Sequence, residues 1–168
     1  WNEYGKASPY ENGVRTPVIA HWPGKIRPRK DERRLATNLD VVPTILTACG
    51  VSPPASMPGI NLLDDKAVTK RDTLFLSNFA HNMVSATEPE KSLWTRSCIH
   101  GKWKLLSWIE NPPKQVPWNR GHRHKNPGEN LELFDLLADP HETKNLVEKH
   151  PEVVQDLLAR IDDWWKVD

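Results

Sequence analysis

Cysteine is scarce in this chain of 168 residues, which has only Cys49 and Cys98. Two cysteines allow one disulfide at most, so they exclude a disulfide-dense scaffold and a zinc site made of four cysteines. Two free buried thiols are the simpler interpretation, and a single bridge between them stays open as the alternative.

The chain also lacks a strong net charge and a long apolar run. Lys and Arg number 23 and Asp and Glu number 22, leaving a net charge of +1, which offers no general field for nucleic acid or an anionic membrane. A mean hydropathy of −0.65 and the lack of an apolar stretch near 18 residues argue against a membrane-spanning helix. We therefore expect no nucleic-acid partner and no membrane span.

The N-terminus has no initiator methionine, no basic-then-apolar leader and no tail-like composition. We therefore expect no secretion signal within these residues. The abrupt start also predicts that the chain is a piece of a longer protein.

Proline and tryptophan are plentiful, with 15 and 8 residues respectively. Many prolines predict many fixed turns and few long helices. Tryptophan is seldom left in solvent, so the second count predicts a core or cleft with large aromatic surfaces.

The first part of the chain predicts a strand and a helix. Residues 16–22 are apolar and bounded by prolines, which is typical of a strand buried on both faces. Residues 39–50 predict a helix with Asp40 as its cap and Gly50 just past its end. One buried helix face is expected from apolar residues at steps of three and four: Val42, Ile45, Leu46 and Cys49.

The second part predicts four short strands and a closing helix. The strands are expected at 73–79, 93–100, 103–109 and 131–136, with a two-residue hairpin turn at Gly101-Lys102. Residues 151–166 carry an apolar stripe that predicts an amphipathic helix. Hairpin-linked strands with one covering helix indicate a small α+β unit.

A polar, turn-rich segment follows Lys6 and leads into the predicted strand at 16–22. Loops at strand ends often carry functional groups, and a lysine there can bind an anionic oxygen. Glu11 and Arg15 are four residues apart and could form a pair that holds this loop. Asn12-Gly13 is typical of a positive backbone φ or a tight turn.

Histidines occur in two predicted loops. His81 and Asn82 follow the strand that ends at Phe79, where they could contact a substrate or transfer a proton. His122 and His124 lie in a basic stretch whose Arg and Lys neighbours would repel a cation, so we expect no metal site there. The pair could instead contact an anionic substrate.

Known nucleophile and phosphate motifs are missing from the chain, which has no G-x-S-x-G, no P-loop and no H-E-x-x-H. Asp139-Pro140-His141-Glu142 follows a predicted strand among turn formers. The simpler interpretation of this acidic stretch is a turn, and not a pair of catalytic carboxylates.

Several short motifs occur in one order along nearly the whole chain. The set comprises Lys6-x-Ser8-x-Tyr10-Glu11-x-Gly13-x-Arg15-x-Pro17, His21-Trp22-Pro23-Gly24-Lys25-Ile26, Asp40-Val-Val-Pro43-Thr44, Pro58-Gly59-Ile60-Asn61-Leu62-Leu63, Lys102-Trp103-Lys104-Leu105-Leu106, Glu132-Leu133-Phe134-Asp135-Leu136, Asp139-Pro140 and Glu142-x-x-Asn145-Leu146. Each motif is weak by itself, but the ordered set is specific, and together the motifs resemble the type I sulfatases.

The resemblance implies an α/β fold, namely the C-terminal part of an alkaline-phosphatase-like enzyme. Residues 1–66 would be the end of the large catalytic α/β domain. Residues 67–168 would be the small C-terminal α+β subdomain, a four-stranded antiparallel sheet packed on the C-terminal helix.

The resemblance also implies hydrolysis of sulfate esters or sulfamates by the full-length protein. The family uses a formylglycine made from a cysteine or serine in C/S-x-P-x-R, beside a bound Ca²⁺ or Mg²⁺. Neither Cys49 nor Cys98 lies in that motif, so the nucleophile and the metal ligands are expected upstream of Trp1. By motif position Lys6 would contact the sulfate and neutralise charge on the leaving side.

We accordingly expect this chain to be inactive by itself and to contact the missing N-terminal catalytic region. Loops of the small domain border the substrate pocket in the family. His81, Asn82, His122 and His124 are therefore the candidate contacts to the rest of a sulfated small-molecule or carbohydrate substrate. The family further implies a periplasmic, extracellular or lysosomal location for the full-length protein.

Two alternatives remain open at this point. A phosphodiesterase or phosphatase-like member of the same superfamily would carry a bare threonine or serine nucleophile upstream. A non-catalytic module that binds an anionic glycan or a partner chain would instead have no upstream catalytic domain.

Overall fold

The structure is a computed structural model that describes residues 8–32, 34–80, 84–109 and 130–167. The chain divides into two compact units. The sheet unit contains the described residues up to Pro17 and from Phe75 onward, and the helical unit contains Val18–Leu74. The predicted division into residues 1–66 and 67–168 refers to the domains of a longer enzyme and stays a prediction.

The sheet unit is built on four strands in the spatial order β1-β2-β3-β4. They comprise β1 (Thr73–Phe79), β2 (Leu93–His100), β3 (Trp103–Trp108) and β4 (Leu131–Asp135). β3 pairs antiparallel with both β2 and β4. The predicted two-residue turn is confirmed, because His100 lies opposite Trp103 and Gly101 adopts a left-handed φ of 59°.

One face of this sheet is covered by the C-terminal helix, α4 (Pro151–Trp164). The register sets Cys98 opposite Leu105 and Leu105 opposite Leu133, so these side chains share a face. They form one hydrophobic cluster with three helix residues at three- and four-residue steps: Val154, Leu157 and Ile161. The predicted four-stranded sheet on a C-terminal helix is therefore confirmed.

The other face of the sheet is covered as well. Tyr10 packs there with Leu106, Trp108 and Phe134 in a second buried cluster. A short helical turn, α1 (Glu11–Val14), follows Tyr10. Asn12-Gly13 thus forms a tight turn, with both residues in the helical region and not at positive φ.

The helical unit contains α2 (Val41–Ala48), preceded by a 3₁₀ turn at Asn38–Asp40, and α3 (Asp65–Lys70). Gly50 follows α2 with a φ of 77°, which confirms it as the residue that ends this helix. Asp40 makes no side-chain cap to α2 itself. Its carboxylate instead accepts hydrogen bonds from the Thr37 N–H (2.8 Å) and the Ile60 N–H (2.8 Å).

Two predictions for this region are wrong. Residues 16–22 are exposed and form no strand; Ile19 is 89% exposed. A buried strand needs hydrogen-bonded neighbours, and none of the described strands pairs with this stretch. The expected buried face of α2 is also exposed at Val42 (51%) and Ile45 (56%) as well as at Cys49, because no described residues of the helical unit cover it.

The two cysteines are free. Cys98 is buried as predicted, whereas Cys49 is exposed. Burial raises the pKa of the Cys98 thiol to about 12. Within the described part of the chain, no helix is long and apolar enough to cross a membrane.

Candidate functional site

The five residues predicted to act on substrate lie outside the described residues: Lys6, His81, Asn82, His122 and His124. Their roles therefore stay predictions. The structure does describe the residues that flank them in the chain. The first of these flanking segments follows Lys6.

The segment Ser8–Val14, here called the anchor segment, lies on the sheet face opposite α4. Ser8, Tyr10 and Glu11 are buried, and the Ser8 hydroxyl accepts a hydrogen bond from the Tyr10 N–H at 3.2 Å. The Tyr10 ring meets the edge of Phe134 with centroids 6.1 Å apart. The beginning of the segment is thus buried like the residues of the sheet core.

A buried ionic cluster holds the anchor segment at Glu11. Lys104 on β3 is 0% exposed, and its Nζ lies 3.0 Å from Glu11 Oε1 and 2.8 Å from Glu142 Oε1. The Glu11 N–H donates a hydrogen bond to the other carboxylate oxygen of Glu142. One ammonium group therefore links the strand, the anchor segment and the loop after β4.

A second polar contact holds Tyr10. Its hydroxyl donates to Glu132 Oε2 at 2.8 Å, and the Trp108 Nε1–H donates to the same oxygen at 2.9 Å. Glu132 is buried on β4, where charge without partners would be strongly unfavourable. These two donors supply the hydrogen bonds that a buried carboxyl oxygen requires.

Glu142 is unusual in its backbone as well as in its burial. Its φ of 54° is left-handed, a conformation that non-glycine residues seldom adopt. The preceding Asp139 stabilises this turn by accepting hydrogen bonds from the N–H groups of Thr143 (2.7 Å) and Lys144 (2.9 Å). Burial raises the pKa of Glu142, although the ion pair with Lys104 partly opposes that shift.

The residues that flank the histidine-bearing stretches lie at one end of the sheet. The N–H groups of Ala80 and Val84 donate to the backbone oxygen (2.7 Å) and the hydroxyl (2.9 Å) of Ser92, respectively. At the neighbouring strands, the Trp108 N–H donates to the Asn130 carbonyl at 2.8 Å. The chain therefore leaves and re-enters this same end of the sheet around both stretches, 81–83 and 110–129.

A metal ion needs converging ligands, and the described ranges contain no group of three or more His, Cys, Asp or Glu that could hold one. The buried carboxylates are also poorly suited to this role. Glu11 and Glu142 are paired with Lys104, and Glu132 accepts two hydrogen bonds. The described residues thus do not fit the Ca²⁺ or Mg²⁺ of a sulfatase, and we assign them no step through a metal.

Sequence reasoning missed the ionic cluster. It suggested Arg15 as the partner of Glu11, whereas the carboxylate pairs with Lys104, 93 positions away. It interpreted 139–142 as a turn, which is confirmed, but missed that Glu142 is buried. Lys104 in β3 and Glu132 in β4 alternate with apolar residues, which is the pattern of a strand with one face in solvent. Both side chains are nevertheless buried, so this alternation was the available signal of a charged face that the fold covers.

Comparison with known families matches nearly the full chain. The model of a family described as "N-sulphoglucosamine sulphohydrolase, C-terminal" matches residues 1–166. The chain is 30% identical over 163 residues to an N-acetylgalactosamine-6-O-sulfatase of Bacteroides thetaiotaomicron, covering 91% of this chain and 28% of that protein. It is 29% identical over 161 residues to the arylsulfatase A of Bos taurus, covering 94% of this chain and 31% of that protein.

The fold has the same relatives. A solved structure connected with the metabolism of multiple glycosaminoglycans by Bacteroides thetaiotaomicron aligns with a TM-score of 0.67 and 27% identity. The alignment covers 94% of this chain and 30% of that chain. The chain thus spans about three tenths of the length of the proteins it matches.

Proposed function

Because this chain belongs to the sulfatase family described as "N-sulphoglucosamine sulphohydrolase, C-terminal", we propose that it is the C-terminal portion of a longer sulfatase. The full-length enzyme hydrolyses sulfate esters or sulfamates of a sulfated carbohydrate. The observation that carries this proposal is the family match over residues 1–166, and the names of two sulfatase relatives support it.

Lys6 is the proposed catalytic residue of this chain. It stands first in the motif Lys6-x-Ser8-x-Tyr10-Glu11, and its ammonium group contacts the sulfate and stabilises negative charge that develops on the leaving oxygen. A fixed positive group is effective there because the bond to sulfur breaks with charge moving onto that oxygen. The nucleophilic formylglycine and the Ca²⁺ or Mg²⁺ site belong to the part of the enzyme upstream of Trp1.

His81, Asn82, His122 and His124 are the proposed contacts to the rest of the substrate. Support comes from the described flanks, because both stretches that carry these residues depart from one end of the sheet. Tyr10 of the anchor segment contacts Trp108, the last residue of β3 at this same end. Cationic side chains in such loops suit a sulfated sugar, which is anionic.

The exposed apolar side chains of the helical unit are the proposed contact surface for the catalytic region. Val18, Ile19, Val42 and Ile45 are each more than half exposed in this chain. Exposed apolar side chains of this size are costly in water, and where several occur together they mark an interaction site. The enzyme as a whole is proposed to work in a periplasmic, extracellular or lysosomal compartment.

The first test replaces Lys6 in the full-length enzyme. Loss of one preorganised charge-stabilising group costs roughly 10²- to 10³-fold in kcat, so Lys6→Ala should lose that much turnover of an aryl sulfate. Lys30→Ala is the matched control, because Lys30 is 84% exposed and pairs with Glu32 at the surface. Unchanged turnover by Lys6→Ala would remove this lysine from the active site.

Two further measurements test the division of labour. The 168-residue chain alone should show no aryl-sulfate turnover, and measurable turnover by it would contradict the upstream nucleophile. His81→Ala in the full-length enzyme should raise KM or lower kcat for the sulfated carbohydrate. Unchanged kinetics would exclude His81 from the substrate site.

A further inference from the structure

The sheet face opposite α4 presents charged as well as apolar side chains to the anchor segment, and three polar contacts hold that segment in place. Lys104 pairs with Glu11, Glu142 accepts from the Glu11 N–H, and Glu132 accepts from the Tyr10 hydroxyl. The residues that make these contacts come from β3, from β4 and from the loop after β4. Three separate parts of the sheet unit therefore converge on two consecutive residues.

This attachment is confined to the beginning of the segment. Ser8, Tyr10 and Glu11 are buried, whereas Asn12 and Gly13 are exposed, as are residues 15–22 that follow the segment. Ser8 is two positions from Lys6 in the sequence, and two residues of extended chain span at most about 7 Å. Fixing the backbone at Ser8–Glu11 therefore restricts where the Lys6 backbone can lie.

We infer that Lys104 and Glu142 are positioning residues for Lys6, which they serve by locking the anchor segment onto the sheet. The inference rests on the proposed function, in which Lys6 stabilises the leaving group. A lysine ammonium is a point charge on a long, rotatable stem, so its position depends on where its backbone is held. Misplacement of a reacting group by about 1 Å can cost roughly 10²-fold in rate.

The chemistry of the cluster makes it suitable for such a lock. Lys104 is fully buried, and a buried charge that loses a partner is strongly unfavourable, so the anchor segment has little freedom to move away. Glu142 reaches the cluster from a left-handed backbone position. Unfavourable backbone conformations persist where the surroundings determine them, and they concentrate at functional sites.

The test uses the full-length enzyme and two aryl sulfates, phenyl sulfate as the poor leaving group and 4-nitrophenyl sulfate as the good one. Glu142→Gln keeps the shape of the side chain and weakens the cluster, and Lys104→Met removes its ammonium group. If Lys6 is displaced, both variants should lose kcat about tenfold or more for phenyl sulfate and clearly less for 4-nitrophenyl sulfate. Partial unfolding would instead reduce the turnover of both substrates by the same factor.

The matched control is Arg96→Met, on the face of the same sheet that α4 covers. Arg96 is buried and pairs with Asp162 of α4 at 2.8 Å, so its loss also removes a buried cation. It has no contact with the anchor segment among those described. We expect a lower melting temperature in this variant with equal effects on the two substrates.

A double-mutant cycle with Lys6→Ala decides whether the effect passes through Lys6. If it does, Glu142→Gln should change phenyl sulfate turnover little in the Lys6→Ala background. Equal losses in the two backgrounds, or equal losses for the two substrates, would overturn the positioning role. Unchanged turnover by Lys6→Ala alone would instead refute the proposed role of Lys6, which separates the two failures.

Discussion

The sheet unit and the helical unit are stabilised in different ways. The sheet unit buries apolar side chains on both faces of its sheet and adds the Lys104 cluster to one of them. Among the described residues of the helical unit, the buried side chains are those of Asp40, Pro43 and Val68. The first unit therefore depends on a core, and the second depends on polar contacts, of which the most buried are made by Asp40.

The contacts of Asp40 form a small network. Arg71 donates to both carboxylate oxygens at 2.5 and 2.7 Å, and the Thr37 and Ile60 N–H groups complete the set. Gly59 makes the close approach possible, because a Cβ at its φ of 97° would lie 2.3 Å from the Leu39 carbonyl oxygen. The helical unit therefore has defined helices and hydrogen bonds although it buries few apolar side chains. Local structure of this kind does not require a core that would make the unit stable by itself.

The largest expected effect comes from removing the charge of Asp40. Asp40→Asn leaves the half-buried Arg71 without its ion-pair partner, and breaking a buried pair costs about 3–5 kcal/mol. We expect α2 to lose amide protection in hydrogen exchange while β2 and β3 keep theirs. Asp65→Asn is the control, since Asp65 also pairs with arginines, Arg29 and Arg34, but is 62% exposed. An equal loss of α2 protection in Asp40→Asn and Asp65→Asn would contradict the central role of Asp40 in this unit.

The matching change in the sheet unit is Leu157→Ala. Leu157 is buried against Cys98, Leu105 and Leu133, so truncation should lower the free energy of unfolding by about 2–5 kcal/mol. Leu137→Ala should change it by less than about 0.5 kcal/mol, because Leu137 is 81% exposed. Denaturant unfolding monitored by tryptophan fluorescence measures the free energy of unfolding of both variants. An equal loss in Leu157→Ala and Leu137→Ala would show that the buried core does not dominate the stability of the sheet unit.

Acid should act in opposite directions on the contributions of Asp40 and Glu142, one from each unit. Burial would raise the pKa of Asp40, but hydrogen bonds from Arg71, Thr37 and Ile60 outweigh it and hold that pKa below its usual value. The stabilisation by Asp40 is thus present above the usual value near 3.9 and is lost as the pH falls through the lowered pKa. The raised pKa of Glu142 has the reverse sign, since its contribution is present in acid and is lost as the pH rises.

We therefore expect the amide NMR signals of α2 to disappear at a higher pH than those of β2 when the 168-residue chain is acidified. In Asp40→Asn, which should loosen α2 at neutral pH as well, the α2 signals should already be weak before acidification. A single shared transition in the native chain would show that the units respond as one.

The smallest perturbation uses the cysteines, because each unit contains one. Cys49 is exposed in the helical unit, and burial raises the pKa of Cys98 in the sheet unit to about 12. At pH 8 a disulfide reagent should label one thiol rapidly, and Cys49→Ser should abolish that fast phase. Rapid labelling of both thiols in the native chain would contradict the buried core of the sheet unit.

Much of the sheet unit could be predicted from its sequence. The first two strands match the predicted bounds, and β3, β4 and α4 end within two residues of them. The reason is that alternation, a two-residue turn with glycine and the 3.6-residue period are local signals. Residues 16–22 had an equally clear pattern, but a buried strand also needs neighbours, which the described residues do not provide.

The candidate site was less predictable than the fold. The motif drew attention to Lys6 and to Glu11, but the partner of Glu11 lies 93 positions away on β3. Glu132 and Lys104 have the spacing of solvent-facing residues in a half-buried sheet. Both are buried because the anchor segment covers that face.

Most local elements of the sheet unit and the family of this chain follow from the sequence, since turn residues, hydrophobic periods and ordered motifs lie within short stretches of chain. Which charged side chains pair with one another depends on the tertiary structure. An ion pair such as Lys104 with Glu11 and Glu142 depends on the register of strands and on what covers the sheet. A periodic pattern indicates which side of an element needs a cover, but it does not identify the residues that will supply it.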